Sequence, residues 1–248
     1  MDKKGQVTIF VILAVIVVAV ILIIFTFPQV NVFSSSLNPS SYLISCIEPE
    51  IGKIKETLSK QGGYINPTNY ATYQDLKLQY LCYTSEFYIP CNVQQPLLIK
   101  HVEGEIKKYI EPRAKKCFED LKKQYERKGY EVRSGTTSIN VSIVPDKILV
   151  DFTAPLTISK EDTQTFQKFV VSVSSNWYTL LNTAVNILQY EATYGDSETS
   201  LYISYYPDIK IEKTRRDDGS TIYELSDVIT QDKFAFATRS LVWPQGLT

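Results

Sequence analysis

The sequence has little of the chemistry on which most enzymes depend. It contains one histidine, His101, among 248 residues, and none of its four cysteines forms a C-x-x-C pair. Histidine-rich metal sites and most catalytic triads are therefore disfavoured. No G-x-S-x-G, phosphate-binding loop or glycine-rich dinucleotide motif occurs either. We predict no catalytic, cofactor-binding or metal site, and no enzymatic activity.

An excess of charge is also absent. Lys and Arg number 26 against 27 Asp and Glu, which gives a formal net charge of -1. Nucleic-acid partners ordinarily require a basic surface, so we predict none. The hydrophobic fraction of 44% is large enough for a folded core, and this argues against a disordered chain.

The aliphatic residues are concentrated near the start of the chain. Residues 7–27 carry no charge, and a helix of that length would span the ~30 Å hydrocarbon core of a bilayer. Lys3 and Lys4 precede this stretch, whereas the next basic residue is Lys53. The positive-inside rule then places the N-terminus in the cytoplasm and the C-terminal domain outside the cell. We predict a single-pass transmembrane helix; an ordinary signal anchor and a cleaved secretory signal are the alternatives.

The residues that open the chain carry a family resemblance. Lys3-Lys4-Gly5-Gln6, followed at once by the apolar stretch, resembles the class III signal of archaeal type IV pilin-like proteins. The resemblance implies a cytoplasmic leader within residues 1–6, cleavage after Gly5 by a prepilin peptidase, and a mature chain that begins at Gln6. Phe10 stands where bacterial pilins usually carry a glutamate, and archaeal members commonly share this departure.

The rest of the chain is similar to uncharacterised pilin-like surface proteins of small-genome archaea. The matching segments are Cys46-Ile47-Glu48, Gly62-Gly63-Tyr64-Ile65, Cys117-Phe118 and Phe234-Ala235-Phe236-Ala237. That family has no assigned activity. The resemblance therefore implies display at the cell surface and contacts with other pilin-like subunits rather than a particular reaction.

The first part of the outer domain has helical periodicity. Residues 28–41 contain Ser, Asn and Pro without periodicity and predict a stalk or linker. Residues 42–129 predict a helical subdomain, in which two long helices flank an aromatic hairpin. Glu103 and Glu105 are assigned to the solvated face of the second helix, and Pro112 should kink or interrupt that helix. The first helix has its apolar positions at three- and four-residue steps, at Leu43, Ile47, Ile51, Ile54 and Leu58.

The second part of the outer domain has the period of β-strands. Residues 130–248 predict an antiparallel sheet subdomain with one helix, at about 176–193. Because strands and helices do not alternate regularly, the predicted class is α+β rather than a doubly wound fold. The predicted strands lie at 138–144, 147–152, 169–174, 200–206, 209–214, 221–225 and 234–242.

All four cysteines lie in the part predicted to be extracellular. An even number of cysteines in an oxidising compartment favours disulfides, with three connectivities open. We favour Cys82–Cys91, which would close the aromatic hairpin, together with Cys46–Cys117, which would join the two helices. Four reduced core cysteines are the alternative.

Other candidate sites are sparse. Asn140-Val141-Ser142 is a glycosylation sequon without proline. The 17 tyrosines are dense at 64–88 and 190–206, where they could form either a contact surface or a core. The nearest catalytic candidates are the pairs Glu161-Asp162 and Asp217-Asp218, and an Asp-Gly turn explains the second. His101 is interpreted as a surface group.

These observations combine into one functional hypothesis. We predict a membrane-anchored, surface-displayed pilin-like structural or adhesive subunit, in a minor role. Its predicted partners are the lipid bilayer, a prepilin peptidase and other pilin-like subunits. One alternative is a monomeric, signal-anchored extracellular binding module with no filament role, and another is an anchored extracellular enzyme.

Overall fold

The computed structural model describes residues 14–18 and 38–242 of the chain. Contacts divide the chain into two units, Met1–Asn38 and Pro39–Thr248. In the first unit, residues 14–18 are helical and exposed. The helices and strands named below belong to the second unit, whose mixture of separate helical and sheet segments confirms the α+β class.

The predicted transmembrane helix is corrected by the structure. Within the described residues, no helix combines the length and the apolar character needed to cross a bilayer. Of residues 7–27, the structure describes 14–18, and these are helical. The remainder of 7–27, the leader 1–6 and residues 28–37 of the predicted linker lie outside the described residues.

Two long helices form the first half of the domain. Helix α1 spans Pro39–Lys60 and helix α2 spans Leu98–Arg127. The predicted stripe of α1 is confirmed, since all five of its apolar residues are buried. Pro112 lies inside α2, which continues through it. Cys46 on α1 and Cys117 on α2 are joined by a disulfide.

Two shorter helices follow later in the chain. Helix α3 spans Trp177–Tyr194, close to its predicted bounds, and helix α4 spans Ser200–Tyr205. The strand predicted at 200–206 is therefore wrong. In so short a segment, the apolar pair Leu201 and Tyr205 fits a helical i, i+4 spacing as well as a strand alternation, and periodicity alone cannot decide.

The first sheet combines strands from both ends of the domain. Its order is β1-β2-β10-β9-β8, and β3 also pairs with β2. The pairing of β2 with β10 is parallel, so the predicted antiparallel sheet is corrected to a mixed one. This pair joins a strand of the predicted helical subdomain to one of the predicted sheet subdomain. The strands are β1 (Tyr70–Tyr73), β2 (Leu76–Tyr83), β3 (Asn92–Val93), β8 (Ile209–Arg215), β9 (Ser220–Asp227) and β10 (Lys233–Arg239).

The second sheet is antiparallel and is built around one long strand. Strand β6 (Lys147–Ser159) pairs along one edge with β4 (Glu131–Ser134) and β5 (Ser138–Val144), and it also pairs with β7 (Thr163–Ser174). The residues of β6 alternate between buried and less buried positions, as a half-buried strand requires.

Two glutamates of α2 are not in the solvated face where the sequence places them. Glu103 is buried, and its Oε1 accepts a hydrogen bond of 2.9 Å from the backbone N–H of Ile143 on β5. Glu105 accepts a hydrogen bond of 2.9 Å from the N–H of Ile65. These carboxylates satisfy backbone donors that helix periodicity alone does not reveal.

A buried polar network, which we call the polar clamp, ties the two halves of the domain together. It consists of Lys55, Ser175, Asn176, Asp227 and Asp232. Asp232 accepts from Lys55 Nζ at 2.5 Å, from Ser175 Oγ at 2.7 Å and from the Asn176 N–H at 2.6 Å. Asp227 accepts from Asn176 Nδ2 at 2.5 Å and from two N–H groups of the β9–β10 turn. The clamp thus connects α1, the start of α3 and the first sheet.

Candidate functional site

Both disulfides are present, and they are the two pairs favoured from the sequence. Cys46–Cys117 joins Cα atoms 6.3 Å apart, and Cys82–Cys91 joins Cα atoms 5.3 Å apart. No described cysteine is free. Disulfides persist in oxidising compartments, so they indicate a domain that folds outside the reducing cytoplasm.

The Cys82–Cys91 bridge closes a loop with an exposed apolar tip, which we call the aromatic loop (residues 84–90). Phe87, Tyr88 and Ile89 at its tip are exposed, Tyr88 by 67%. The loop is also held by its backbone, because the Tyr88 N–H donates to the carbonyl of Leu241 at 2.6 Å. Apolar side chains on a fixed loop are typical of a contact surface.

The predicted tyrosine-rich regions divide between core and surface. Tyr80, in the region 64–88, is buried. The region 190–206 instead contributes an exposed set, which we call the tyrosine surface: Tyr190, Tyr194, Leu201, Tyr205 and Tyr206, with Val228 and Ile229 from the β9–β10 turn. The turn is brought towards this region by a hydrogen bond of 2.9 Å from the Val228 N–H to the carbonyl of Asp208.

A polar cavity of about 370 Å³ opens beside the end of α3, and we call it the polar pocket. Its walls are the α3–α4 loop and strand β8, whose Lys213 and Arg215 lie two residues apart and so point to the same face. The loop contributes Asp196, Ser197, Glu198 and Thr199.

Charged pairs fix the two walls of the pocket together. Asp196 Oδ2 lies 2.6 Å from Arg215 Nη2, and Asp196 Oδ1 pairs with Lys213 Nζ. Lys213 also donates to the carbonyl of Ser197 at 2.7 Å. Asp196 therefore faces two cations, and with Glu198 the lining holds two acidic and two basic side chains.

A buried carboxyl group lies behind the pocket. Glu191 is 1% exposed and accepts hydrogen bonds from the Tyr223 hydroxyl and, at 3.1 Å, from the Ser197 N–H. Burial raises the pKa of Glu191 above its ordinary value, although these donors and the charge of Lys213 act in the opposite direction. Burial and the neighbouring Glu191 also raise the pKa of Tyr223 strongly, so its hydroxyl remains a donor.

The Ser197 side chain is the unsatisfied member of this group. Ser197 is 1% exposed, and its Oγ makes no hydrogen bond within the described part of the chain. Buried hydroxyls ordinarily have a partner, so an orphan beside a cavity requires an explanation.

The residues singled out from the sequence lie apart from the pocket. Asn140 is exposed on β5, and the pair Glu161-Asp162 lies exposed between β6 and β7. Asp217-Asp218 lies in the β8–β9 turn, where Asp218 accepts from the Ser220 N–H at 2.9 Å. Lys3, Lys4, Gly5 and Gln6 lie outside the described residues.

His101 is not the surface group that the sequence predicts. Its ring centroid lies 4.0 Å from that of Tyr64, and its Nε2 is buried with no partner among the described residues. Burial lowers the pKa of the imidazole. Across 14–18 and 38–242, no group of three or more potential metal ligands is found.

Sequence reasoning missed the pocket residues because their proximity depends on the fold. Glu191 and Asp196 follow one another near the end of α3, but Lys213 reaches them only after β8 is placed beside the α3–α4 loop. The one local signal is the Lys213-Thr214-Arg215 alternation, which is indistinguishable from a solvated strand face.

Comparison of the chain with protein-family models, with curated proteins and with solved structures found no match. The resemblance of residues 3–6 to a class III signal accordingly stays a prediction, and the site must be interpreted from its own chemistry.

Proposed function

We propose that the protein is a surface-displayed pilin-like structural or adhesive subunit, in a minor role and without enzymatic activity. The observation that carries this proposal is the exposed apolar surface of a disulfide-joined domain. Tyr205 is 80% exposed and Ile229 is 72% exposed, and the aromatic loop adds a second exposed tip. Such surfaces are typical of protein contacts, where tyrosine supplies a large contact area with a polar end.

The start of the sequence supports the same proposal. A prepilin peptidase would remove the basic leader after Gly5. The apolar segment 7–27 would then associate with the lipid bilayer and with the corresponding segments of other pilin-like subunits. The two disulfides support a location outside the cytoplasm for the domain that carries the exposed surfaces.

The N-terminus of the mature chain tests the proposal. The full chain is produced in cells that contain an active prepilin peptidase, and its intact mass and N-terminal sequence are determined. We expect a start at Gln6, and a Gly5→Asp variant should retain Met1 because the residue before the cut is altered. A start at Met1 in cells whose peptidase processes a second substrate would contradict the proposal.

The tyrosine surface can be tested by substitution. A Tyr205→Ser/Ile229→Ser double variant should reduce cross-linked assembly of the processed chain and adhesion of cells that display it. The matched control is Gln164→Ser, which alters an exposed polar residue of β7. Equal assembly and adhesion of both variants and the parent chain would contradict a role for this surface.

A second candidate function is a monomeric extracellular binding module with no filament role. The polar pocket favours it, because a cavity lined by fixed polar groups is suited to a small ligand. This candidate predicts an unprocessed N-terminus and a chain that stays monomeric after its disulfides have formed.

A further inference from the structure

We propose that the polar pocket is a binding site for a neutral polyhydroxyl ligand, a mono- or disaccharide. The inference names the ligand class of the binding module above and requires only that the domain meets ligands outside the cytoplasm. Sugar binding does not depend on leader processing or on filament assembly. The N-terminal mass measurement tests leader processing separately.

The charges of the lining select a neutral ligand. Lys213 and Arg215 both pair with Asp196, and Glu198 adds a second carboxylate, so the four charged side chains sum to zero. An anion would meet Asp196 between the two cations. A metal ion would have to displace both cations from Asp196, and no group of three potential metal ligands is found in the described chain.

The hydrogen-bonding groups of the lining select hydroxyls in particular. The Arg215–Asp196 pair places guanidinium donors beside carboxylate acceptors. A hydroxyl group donates and accepts at once, so neighbouring hydroxyls of a sugar can bind both members of such a pair. Thr199 and Ser197 add two side-chain hydroxyls to the same lining.

Ser197 supplies the second observation. Its N–H is bound by Glu191 and its carbonyl by Lys213, so the backbone is fixed while the hydroxyl has no partner in the described structure. The Oγ is enclosed by protein, so a ligand in the pocket would provide that partner once the Ser197 side chain rotates towards the cavity. The backbone of the site is therefore fixed before binding, and the Ser197 hydroxyl is its unused hydrogen-bonding group.

Gly195 sets the direction of the loop that carries these groups. It caps α3 with φ +82, a left-handed conformation in which a Cβ would lie 1.9 Å from Val242 Cγ2. Only glycine adopts this turn readily. Exposed Tyr194 precedes it, with its Cα at most about 7 Å from that of Asp196. Its ring packs against that of Tyr190, with 4.6 Å between the ring centroids.

The size of the cavity agrees with this ligand class. Small-molecule sites occupy about 300–1,000 Å³, and the polar pocket of about 370 Å³ lies at the small end of that range. A site of this size with few apolar contacts should bind weakly, with a Kd on the order of 1 mM.

Ligand-observed NMR of the full chain tests the proposal. The chain is held in a zwitterionic detergent without a sugar headgroup, because glycosidic detergents would compete. The probes are glucose, galactose, mannose, N-acetylglucosamine and maltose, with inorganic phosphate and Ca²⁺ as competitors. The variants are Arg215→Ala and Ser197→Ala. The matched control is Arg133→Ala. It removes an exposed arginine of β4 that pairs with Glu131 at 2.7 Å and does not line the pocket.

We expect saturable binding of at least one sugar, unaffected by phosphate, Ca²⁺ and Arg133→Ala. Arg215→Ala should weaken it about tenfold, which corresponds to about 1.4 kcal/mol. Ser197→Ala should weaken it severalfold, while the melting temperature is not lowered and the disulfide content is unchanged. The proposal is overturned by the absence of saturable binding, by competition from phosphate or Ca²⁺, or by binding that both pocket variants leave intact.

Discussion

The polar clamp and the polar pocket contain similar polar side chains, but they differ in how many of these side chains have hydrogen-bonding partners. In the clamp, both oxygens of Asp232 and both of Asp227 accept hydrogen bonds. In the pocket, Ser197 Oγ makes no hydrogen bond within the described residues, and Ser197 is one of the residues that line the cavity. A fully satisfied buried network fixes a fold, whereas a partly satisfied one beside a cavity has capacity left for a ligand.

The carboxyl groups of the two regions also differ in the direction of their pKa shifts. Burial dominates at Glu191 and raises its pKa. At Asp227 burial also acts to raise the pKa, but the donors of Thr230, Asn176 and Ile229 together outweigh it and the net shift is downward. The hydrogen-bond donors around each carboxyl group, together with burial, therefore decide whether its pKa is raised or lowered.

The largest expected effect is loss of the clamp. Asp232→Ala removes the acceptor of Lys55, Ser175 and Asn176 and should lower the free energy of unfolding by about 3–5 kcal/mol. Urea unfolding measures it, with exposed Asp162→Ala as the control, expected to lie within about 0.5 kcal/mol of the parent. A loss below about 1 kcal/mol for Asp232→Ala would mean that the clamp is not structural.

The pocket walls should tolerate substitution better than the clamp. Lys213→Met removes the Asp196 pair and the hydrogen bond to Ser197, at a cost of about 2 kcal/mol, because Arg215 still neutralises Asp196. The control is Lys210→Met on the same strand, whose pair with Glu212 is exposed and should contribute less than about 1 kcal/mol. Equal losses in both variants would show that the pocket pair is an ordinary surface pair.

The opposite pKa shifts predict opposite dependences of stability on pH. The folded pKa of Glu191 is raised, so its stabilisation is complete at low pH and is lost as pH rises from about 4.5 through the folded pKa. The free energy of unfolding of Glu191→Gln should therefore increase relative to that of the parent as the pH rises, by at most about 1.4 kcal/mol per pH unit. Unfolding free energies measured from about pH 2 to pH 8 check this.

The clamp provides the matched comparison for that measurement. Asp227 has a lowered folded pKa, so its stabilisation is present above about 3.8 and is lost as pH falls through the folded pKa. Asp227→Asn should therefore have a lower free energy of unfolding than the parent at neutral pH, and this difference should become smaller as the pH falls. The same sign of pH dependence for the Glu191 and Asp227 variants would contradict the distinction between the two regions.

The smallest expected effect concerns the two buried serines. Ser197→Ala removes a hydroxyl without a partner and should leave stability unchanged or raise it by up to about 1 kcal/mol. Ser175→Ala removes a 2.7 Å hydrogen bond to Asp232 and should lower stability by about 1–2 kcal/mol. Thermal unfolding of the two variants measures the difference, and a destabilising Ser197→Ala would show that this hydroxyl already has a partner.

Local patterns were sufficient for much of the fold. The stripe of α1 and the hairpin of β8 and β9 depend on period and turn residues alone, and both follow the sequence. The segment 200–206 was misassigned because six residues satisfy two periods, and tertiary packing decides between them. The parallel β2–β10 pair has no local signal, since its strands lie at opposite ends of the domain.

The candidate site was less accessible to sequence reasoning than the fold. Glu103 and Glu191 look like solvated helix residues, and burial becomes evident only when their partners, Ile143 and Tyr223, arrive from distant strands. A charged residue that caps a distant backbone group has the same sequence pattern as one that faces water. The transmembrane prediction depended on composition alone, and the described helices do not bear it out.

The parallel pairing of β2 with β10 has a consequence for the order in which the chain is built. Strand β2 ends at Tyr83, yet its neighbour β10 begins at Lys233. During vectorial synthesis, the edges of β2 and β9 stay unpaired until β10 emerges, and such non-local pairing is slow. The Cys46–Cys117 bridge can form long before that point. The first sheet is therefore completed only when β10 is available, and chains released before β10 would expose both strands to proteolysis or aggregation.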